Sequence, residues 1–208
     1  KNAVTYTSPS IAGLVVQAQH GLSNNSSDAE SYGSVNAISG VYTNGPLTVS
    51  YSALKQDSTG IGAASSTGAA TTGANLKVNT LGANYALNSQ IKLFALYQEV
   101  KNDLTGATTK VDRAATTVSA TYTTGNWVLM AQTGSLKADA GTYTGNKSKL
   151  TGLGADYNLS KRTNLYARYE AISGLNAKAA AAANGAPAVS AFGDAKQTVT
   201  AIGVKHTF

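Results

Sequence analysis

The side chains that most often carry catalysis are scarce in this chain. Its 208 residues hold two histidines, His20 and His206, and no cysteine. Thiol nucleophiles, disulfide frameworks, thiolate zinc sites and Cys-ligated iron–sulfur clusters are thereby excluded. His206 stands between Val204 and Phe208 in an alternating apolar run, where an interfacial ring is expected rather than a metal ligand. His20 with Asp28 is the one option for a base and a carboxylate at a rim, and spacing places no nucleophile beside them. The acids Asp28, Glu30, Asp57 and Asp103 lack the spacing of a calcium loop. Gly60-Ile61-Gly62 lacks the following helix and lysine that a phosphate cradle needs. No catalytic residue, metal or cofactor is expected, and the chain is not expected to be an enzyme.

Charge points elsewhere. Sixteen basic and ten acidic residues give a net +6. The charged share of 12% is about half of the roughly 25% usual in soluble domains. The basic residues are scattered rather than clustered, so nucleic-acid binding is not expected. No run of about 18 apolar residues occurs, which excludes a transmembrane helix. No signal peptide is recognisable, as for a mature chain or a fragment. Polar content is mostly Ser, Thr, Asn, Gly and Ala in periodic order, which reads as a repetitive β protein rather than disorder. One domain spanning residues 1–208 is expected.

Alternating polarity predicts about eleven strands, near 2–7, 12–20, 34–43, 47–56, 75–86, 90–100, 111–123, 126–137, 147–157, 163–173 and 196–208. Short connections at Ser8-Pro9-Ser10, Asn44-Gly45-Pro46, Asn88-Ser89, Thr124-Gly125 and Ser160-Lys161-Arg162 alternate with long ones at 21–33, 57–74, 101–110, 138–146 and 174–195. Two of the long loops, 57–74 and 174–195, have room for short helices. Such alternation places all short turns at one end of an up-and-down sheet.

Every second strand closes on an aromatic residue: Tyr6, Tyr42, Tyr85, Tyr122, Tyr157 and Phe208. Ile38, Leu81, Val118, Leu153 and Val204 stand four residues before five of them, on the same face of the strand. Trp127 joins this set from a strand running the other way. The opposite face is small and polar, as in Asn84, Gly82 and Thr80. A sandwich core has no reason to place tyrosine at one end of every second strand. An aromatic girdle at a membrane interface does. The expected fold is all-β, an antiparallel up-and-down transmembrane β-barrel.

Specific segments carry a resemblance. Asn2 to Pro9 followed by Ala12-Gly13, Val41 to Leu47, Leu81 to Tyr85, Leu159 to Thr163 and the ending Gly203 to Phe208 resemble Gram-negative porins of the neisserial and betaproteobacterial type. The resemblance covers the whole chain. It implies a sixteen-stranded trimeric barrel of which this chain is a C-terminal portion, strands six to sixteen, lacking the inward-folded constriction loop. It also implies that Phe208, with His206 and Val204, acts as the outer-membrane assembly signal.

Parity with the girdle assigns the charged residues to faces. Lys1, Lys92, Arg113, Arg168 and Lys205 fall on the polar face, with Tyr166 and the carboxylates Asp156 and Glu170. Arg168 and Glu170 are candidates for a local pair. A narrow passage with this basic excess favours anions, because low-dielectric walls focus the field. Lys77 and Lys149 fall on the apolar face about eight residues above the girdle, where they snorkel into water or meet lipopolysaccharide phosphates. The expected function is a general diffusion porin for small hydrophilic solutes and ions, biased to anions. The expected partners are outer-membrane lipid and lipopolysaccharide, two further copies in a homotrimer and the barrel-assembly machinery. An outer-membrane anchor, adhesin or receptor is the alternative.

Overall fold

The computed structural model describes residues 2–22, 34–58, 74–104, 111–140, 143–175 and 195–207. Lys1, Phe208 and most of the long connections lie outside these residues, including the two segments with room for helices. The strands are β1 (Ala3–Thr7), β2 (Leu14–Gly21), β3 (Val35–Asn44), β4 (Leu47–Ser58), β5 (Ala74–Ala86), β6 (Ile91–Leu104), β7 (Val111–Thr124), β8 (Trp127–Ala140), β9 (Tyr143–Asn158), β10 (Thr163–Leu175) and β11 (Ala195–His206). They form one up-and-down sheet in sequence order, β1 to β11.

Two compact units divide the described chain. One comprises 1–82, 97–114 and 138–144; the other comprises 83–96, 115–137 and 145–208. In the first, β1 to β4 pair antiparallel, with Tyr6 opposite Ala18, Ala18 opposite Ile38 and Ile38 opposite Ala53. In the second, β9, β10 and β11 pair with Tyr157 opposite Leu165 and Leu165 opposite Val204. In-register pairs share a face, so each unit carries one apolar and one polar face, as the alternation predicts.

Burial decides between a sandwich and a membrane wall. No large side chain among the described residues is fully buried. The apolar face is open: Val4 is 69% exposed, Leu153 56% and Ile202 83%. A soluble sandwich covers such a face with a second sheet. Here only hydrocarbon satisfies it, while the hydrogen-bonded ladders satisfy the backbone.

The short turns use local chemistry. Gly45 (φ 55) and Gly125 (φ 54) each take the first central place of a two-residue turn, the type II′ pattern. Pro46 fits the second place because its ring holds φ negative. Asn44, read from sequence as part of the turn, is the last paired residue of β3, opposite Leu47. Asn88 Oδ1 accepts the N–H groups of Gln90 (2.9 Å) and Ile91 (2.8 Å). Ser160 Oγ accepts those of Arg162 and Thr163, both at 3.1 Å.

The first turn is longer than expected, because Ile11 bonds back to Leu14 in both directions. Ala12 (φ 50) and Gly13 (φ 87) are left-handed there. A Cβ on Gly13 would collide with the carbonyl oxygen of Thr43. Gly13→Ala is therefore expected to destabilise the barrel by about 1–3 kcal/mol, read as a lower temperature for the loss of heat-modifiable migration in detergent gels.

Strand extends into two expected loops, over 101–104 of the first, from β6, and over all but 141–142 of the second, from β8 and β9. Above the membrane neither face of a strand needs to be apolar, so the ladder continues where the alternation has faded.

Candidate functional site

The polar face of β9, β10 and β11 is where charged side chains converge. Asp156 on β9 lies opposite Tyr166 on β10, and Tyr166 lies opposite Gly203 on β11. One step along, Gly154, Arg168 and Ala201 share a row, and next come Gly152, Glu170 and Val199. The glycines make the site. A Cβ on Gly203 would stand 2.5 Å from the Tyr166 ring and hydroxyl, and one on Gly154 3.2 Å from Arg168 Cδ. One on Gly152 would stand 2.7 Å from the side chain of Gln132. Three long side chains therefore lie flat on the wall, each over a residue without a side chain.

Arg168 is held from several sides. Its Nη1 donates to the carbonyls of Ala155 (3.1 Å) and Ala167 (2.9 Å). The same nitrogen lies 2.6 Å from Asp156 Oδ1. With its protons directed at the two carbonyls, the Asp156 contact is one of charge, and Oδ1 receives no hydrogen bond. The guanidinium also sits 5.5 Å from the centre of the Tyr166 ring, within cation–π range. Asp156, not Glu170, is thus the partner of Arg168, which corrects the local pair considered from sequence. Tyr166 draws Arg168 toward the short-turn end, where Asp156 stands, and so away from Glu170. A hollow of about 340 Å³ opens beside the guanidinium, lined by Met130, Gln132, Gly152, Gly154, Arg168 and Glu170 among others.

The other charged residues of this face have separate places. Lys205 on β11 is opposite Asn164 near the short turns, and Asn164 Oδ1 is buried without a partner. Lys92 shares the face of Gln98 on β6, whose amide donates to Thr80 at 3.3 Å. Arg113 lies nearer the long connections on β7 and is half-buried. Among the described residues this face carries four basic side chains, Lys92, Arg113, Arg168 and Lys205, and two carboxylates, Asp156 and Glu170. Lys1 lies outside the described residues.

On the apolar face, Tyr6 and Tyr42 belong to the first unit and Tyr85, Tyr122, Trp127 and Tyr157 to the second. Trp127 and Tyr157 pack with ring centres 4.8 Å apart and planes tilted by 54°. That contact settles the parity of β8, where Val128 and Met130 blur the pattern: Trp127 and Leu129 face outward, and Met130 faces the hollow. His206 Nδ1 lies 2.9 Å from Thr163 Oγ1. Val204 is 64% exposed on the same face. Phe208, the last girdle residue, is outside the described residues. His20, weighed from sequence as a rim residue, faces the apolar side, with Nδ1 2.7 Å from Asn36 Oδ1. That bond satisfies two polar groups where hydrocarbon offers none.

A larger hollow of about 660 Å³ lies on the apolar face of the first unit, floored by Val4, Tyr6, Ala18, Ile38 and Ala53. Its outward position excludes it from any aqueous route through the sheet. The polar face of β9 to β11 is the site to consider for solutes. Sequence patterning placed Tyr166, Arg168, Glu170 and Asp156 on it but missed Gln132. The signal for Gln132 was the pair Gly152 and Gly154, whose missing side chains leave room for a neighbour's.

A family model for Gram-negative porins matches residues 1–177. The chain belongs to the Gram-negative porin family. Its strands cross the outer membrane, and the solved structures similar to it agree in fold. OmpT, an outer membrane protein of Vibrio cholerae, superposes with a TM-score of 0.69 at 18% identity, over 98% of this chain and 63% of OmpT. A trimer form of OmpT gives 0.69 at 17% identity, over 98% of this chain and 64% of that one. The outer membrane channel DcaP of Acinetobacter baumannii gives 0.62 at 16%, over 82% of this chain and 56% of DcaP. This porin chain thus spans somewhat under two thirds of the length of these structures. No curated protein matches it.

Proposed function

We propose that this chain forms part of the wall of a general diffusion porin that passes small hydrophilic solutes and ions with a bias toward anions. The observation that carries the reading is the division of one sheet into two faces. One is apolar and open to hydrocarbon, and the other bears four basic side chains against two carboxylates. A water-filled passage bounded by the second face concentrates anions through the field of its fixed charges. Arg168 contributes less than its formal charge because Asp156 lies against it. Lys92 and Lys205 make no ion pair among the described residues, so the bias rests chiefly on them.

Family membership supports conduction, and the name of DcaP, an outer membrane channel, agrees with it. The trimer form of OmpT supports a homotrimer. On this reading the eleven strands correspond to the sixth to sixteenth of a sixteen-stranded barrel of the neisserial type. The segment carrying Val204, His206 and Phe208 addresses the assembly machinery. The barrel works by passive diffusion and catalyses no reaction.

Native full-length protein, purified from outer membranes and recorded in a planar bilayer under a potassium chloride gradient, tests this. Stepwise conductance with a reversal potential on the chloride side is expected. A reversal on the potassium side would remove the anion bias and leave the pore. A folded barrel without conductance would overturn the pore and favour an anchor or receptor.

A further inference from the structure

The hollow beside Arg168 gathers three polar groups that the wall itself leaves unengaged. Arg168 directs Nη1 at the carbonyls of Ala155 and Ala167 and lies against Asp156 with the same nitrogen. Its Nε and Nη2 donate to nothing among the described residues. The half-buried carboxylate of Glu170 and the amide of Gln132 also meet no partner among the described residues. All three side chains line the one hollow of about 340 Å³, with Met130 of β8 at one flank and Val199 of β11 at the other.

The charges are ordered along β10. Arg168 and Glu170 stand two residues apart, about 7 Å along the wall. Arg168 leans away from Glu170, over Gly154 and toward Asp156. Asp156 is held against the guanidinium, with its Oδ1 buried. The outer N–H groups of Arg168 are thus the positive end of the hollow, and Glu170 is the free negative end. Gln132 bends over Gly152, in the row of Glu170. Above Glu170 the ladder with β11 breaks at a bulge over Ser173 and Gly174, where Gly174 is left-handed (φ 72). Glu170 is the last charged side chain of β10 before that bulge.

Each simpler solute is opposed by one part of this arrangement. A dianion meets Arg168 with one end and is repelled by Glu170 at the other. A simple cation meets Glu170 but must approach past four basic side chains on the same face. A molecule carrying both charges meets both ends, and its zero net charge costs nothing in the field of the route. Hydrogen bonds of about 2.9 Å at each end close the gap when the solute's own charges stand a few ångströms apart, as in an α-amino acid. A volume near the lower end of the roughly 300–1,000 Å³ usual for ligand sites fits one small molecule. Met130 and Val199 offer apolar cover between the polar ends, which favours an apolar side chain.

We propose that this hollow is a binding site for an apolar α-amino acid in its zwitterionic form. The ammonium lies on Glu170 with the Gln132 amide beside it, and the carboxylate accepts from Nε and Nη2 of Arg168. The side chain lies between Met130 and Val199. The inference rests on the reading of this face as the border of an aqueous route and names one class of solute for it.

The test uses native full-length protein in detergent, with L-leucine as the probe and binding followed by saturation-transfer NMR. Saturable binding in the millimolar range is expected. Glu170→Gln keeps the shape and removes the charge, and should weaken binding about tenfold, the weight of one charge-assisted hydrogen bond. Leucine amide, which lacks the carboxylate, and N-acetyl-leucine, which lacks the ammonium, should each bind the wild-type protein about tenfold more weakly for the same reason. Lys149→Gln, on the apolar face, should leave leucine binding unchanged. Absence of saturable binding, equal affinity of Glu170→Gln, or equal binding of N-acetyl-leucine would each overturn the proposal. Planar-bilayer recording of the same protein keeps this result apart from the porin reading. Conductance without leucine binding would overturn the site and leave the pore. Leucine binding by a barrel without conductance would overturn the pore and leave the site.

Discussion

Replacing Arg168 with alanine should move the reversal potential of the conducting barrel toward potassium, and Asp156→Asn should move it toward chloride. The sign follows from the 2.6 Å contact between the two groups. As a pair they present almost no net charge to a passing ion. Removing the guanidinium leaves a bare carboxylate, and removing the carboxylate leaves a bare guanidinium. At about 8 Å in water a unit charge acts on an ion with about 0.5 kcal/mol, roughly twofold in its local concentration. The two ions respond in opposite senses, so the permeability ratio changes by up to about fivefold. At 0.1 M salt the screening length is about 10 Å, which reduces the change to about two- to threefold. The double variant should return close to the wild-type ratio, because it removes both charges. If Arg168→Ala leaves the chloride-to-potassium ratio unchanged, the pair does not border the conducting route.

That prediction also shows how far the sequence alone reached. Strand positions and faces were legible because alternation is a property of each strand by itself. The assignments of Tyr166, Arg168 and Glu170 to one face follow from their alternation along β10 with the apolar Leu165, Ala167 and Tyr169. Which carboxylate Arg168 meets was not legible. That depends on register between β9 and β10 and on the bend of one side chain toward Tyr166 and across Gly154. Parity along a single strand contains neither. The bulge at Ser173 and Gly174 was hidden for the same reason: Gly174 reads as the start of a loop until the register with β11 is known. The upper ends of β8 and β9 were read as loop because the apolar signal ends where the hydrocarbon ends, while pairing does not. Parity alone divides the basic excess between the faces: it set Arg168 and Lys205 on the polar side and Lys77 and Lys149 on the apolar one.

The second large effect is expected on that outward face. Leu153→Arg should destabilise the folded barrel in lipid vesicles by about 2–4 kcal/mol, the cost of a cation near the middle of the bilayer. Leu153 is 56% exposed, so in a water-soluble protein the same change would be nearly neutral. Its position is central: Tyr157 lies four residues to one side and Lys149 four to the other, so an arginine there is far from both headgroup layers. Ser119→Arg on the opposite face of β7 supplies the control. Its side chain reaches water, and a change within about 0.5 kcal/mol is expected. Urea unfolding of both variants in vesicles separates the two faces by energy alone, without reference to conduction. Equal stabilities for the two variants would mean that Leu153 does not meet hydrocarbon. The large difference expected here would tie the exposed apolar rows of β9, β10 and β11 to lipid, since only there does the same charge cost so much more on one face than on the other.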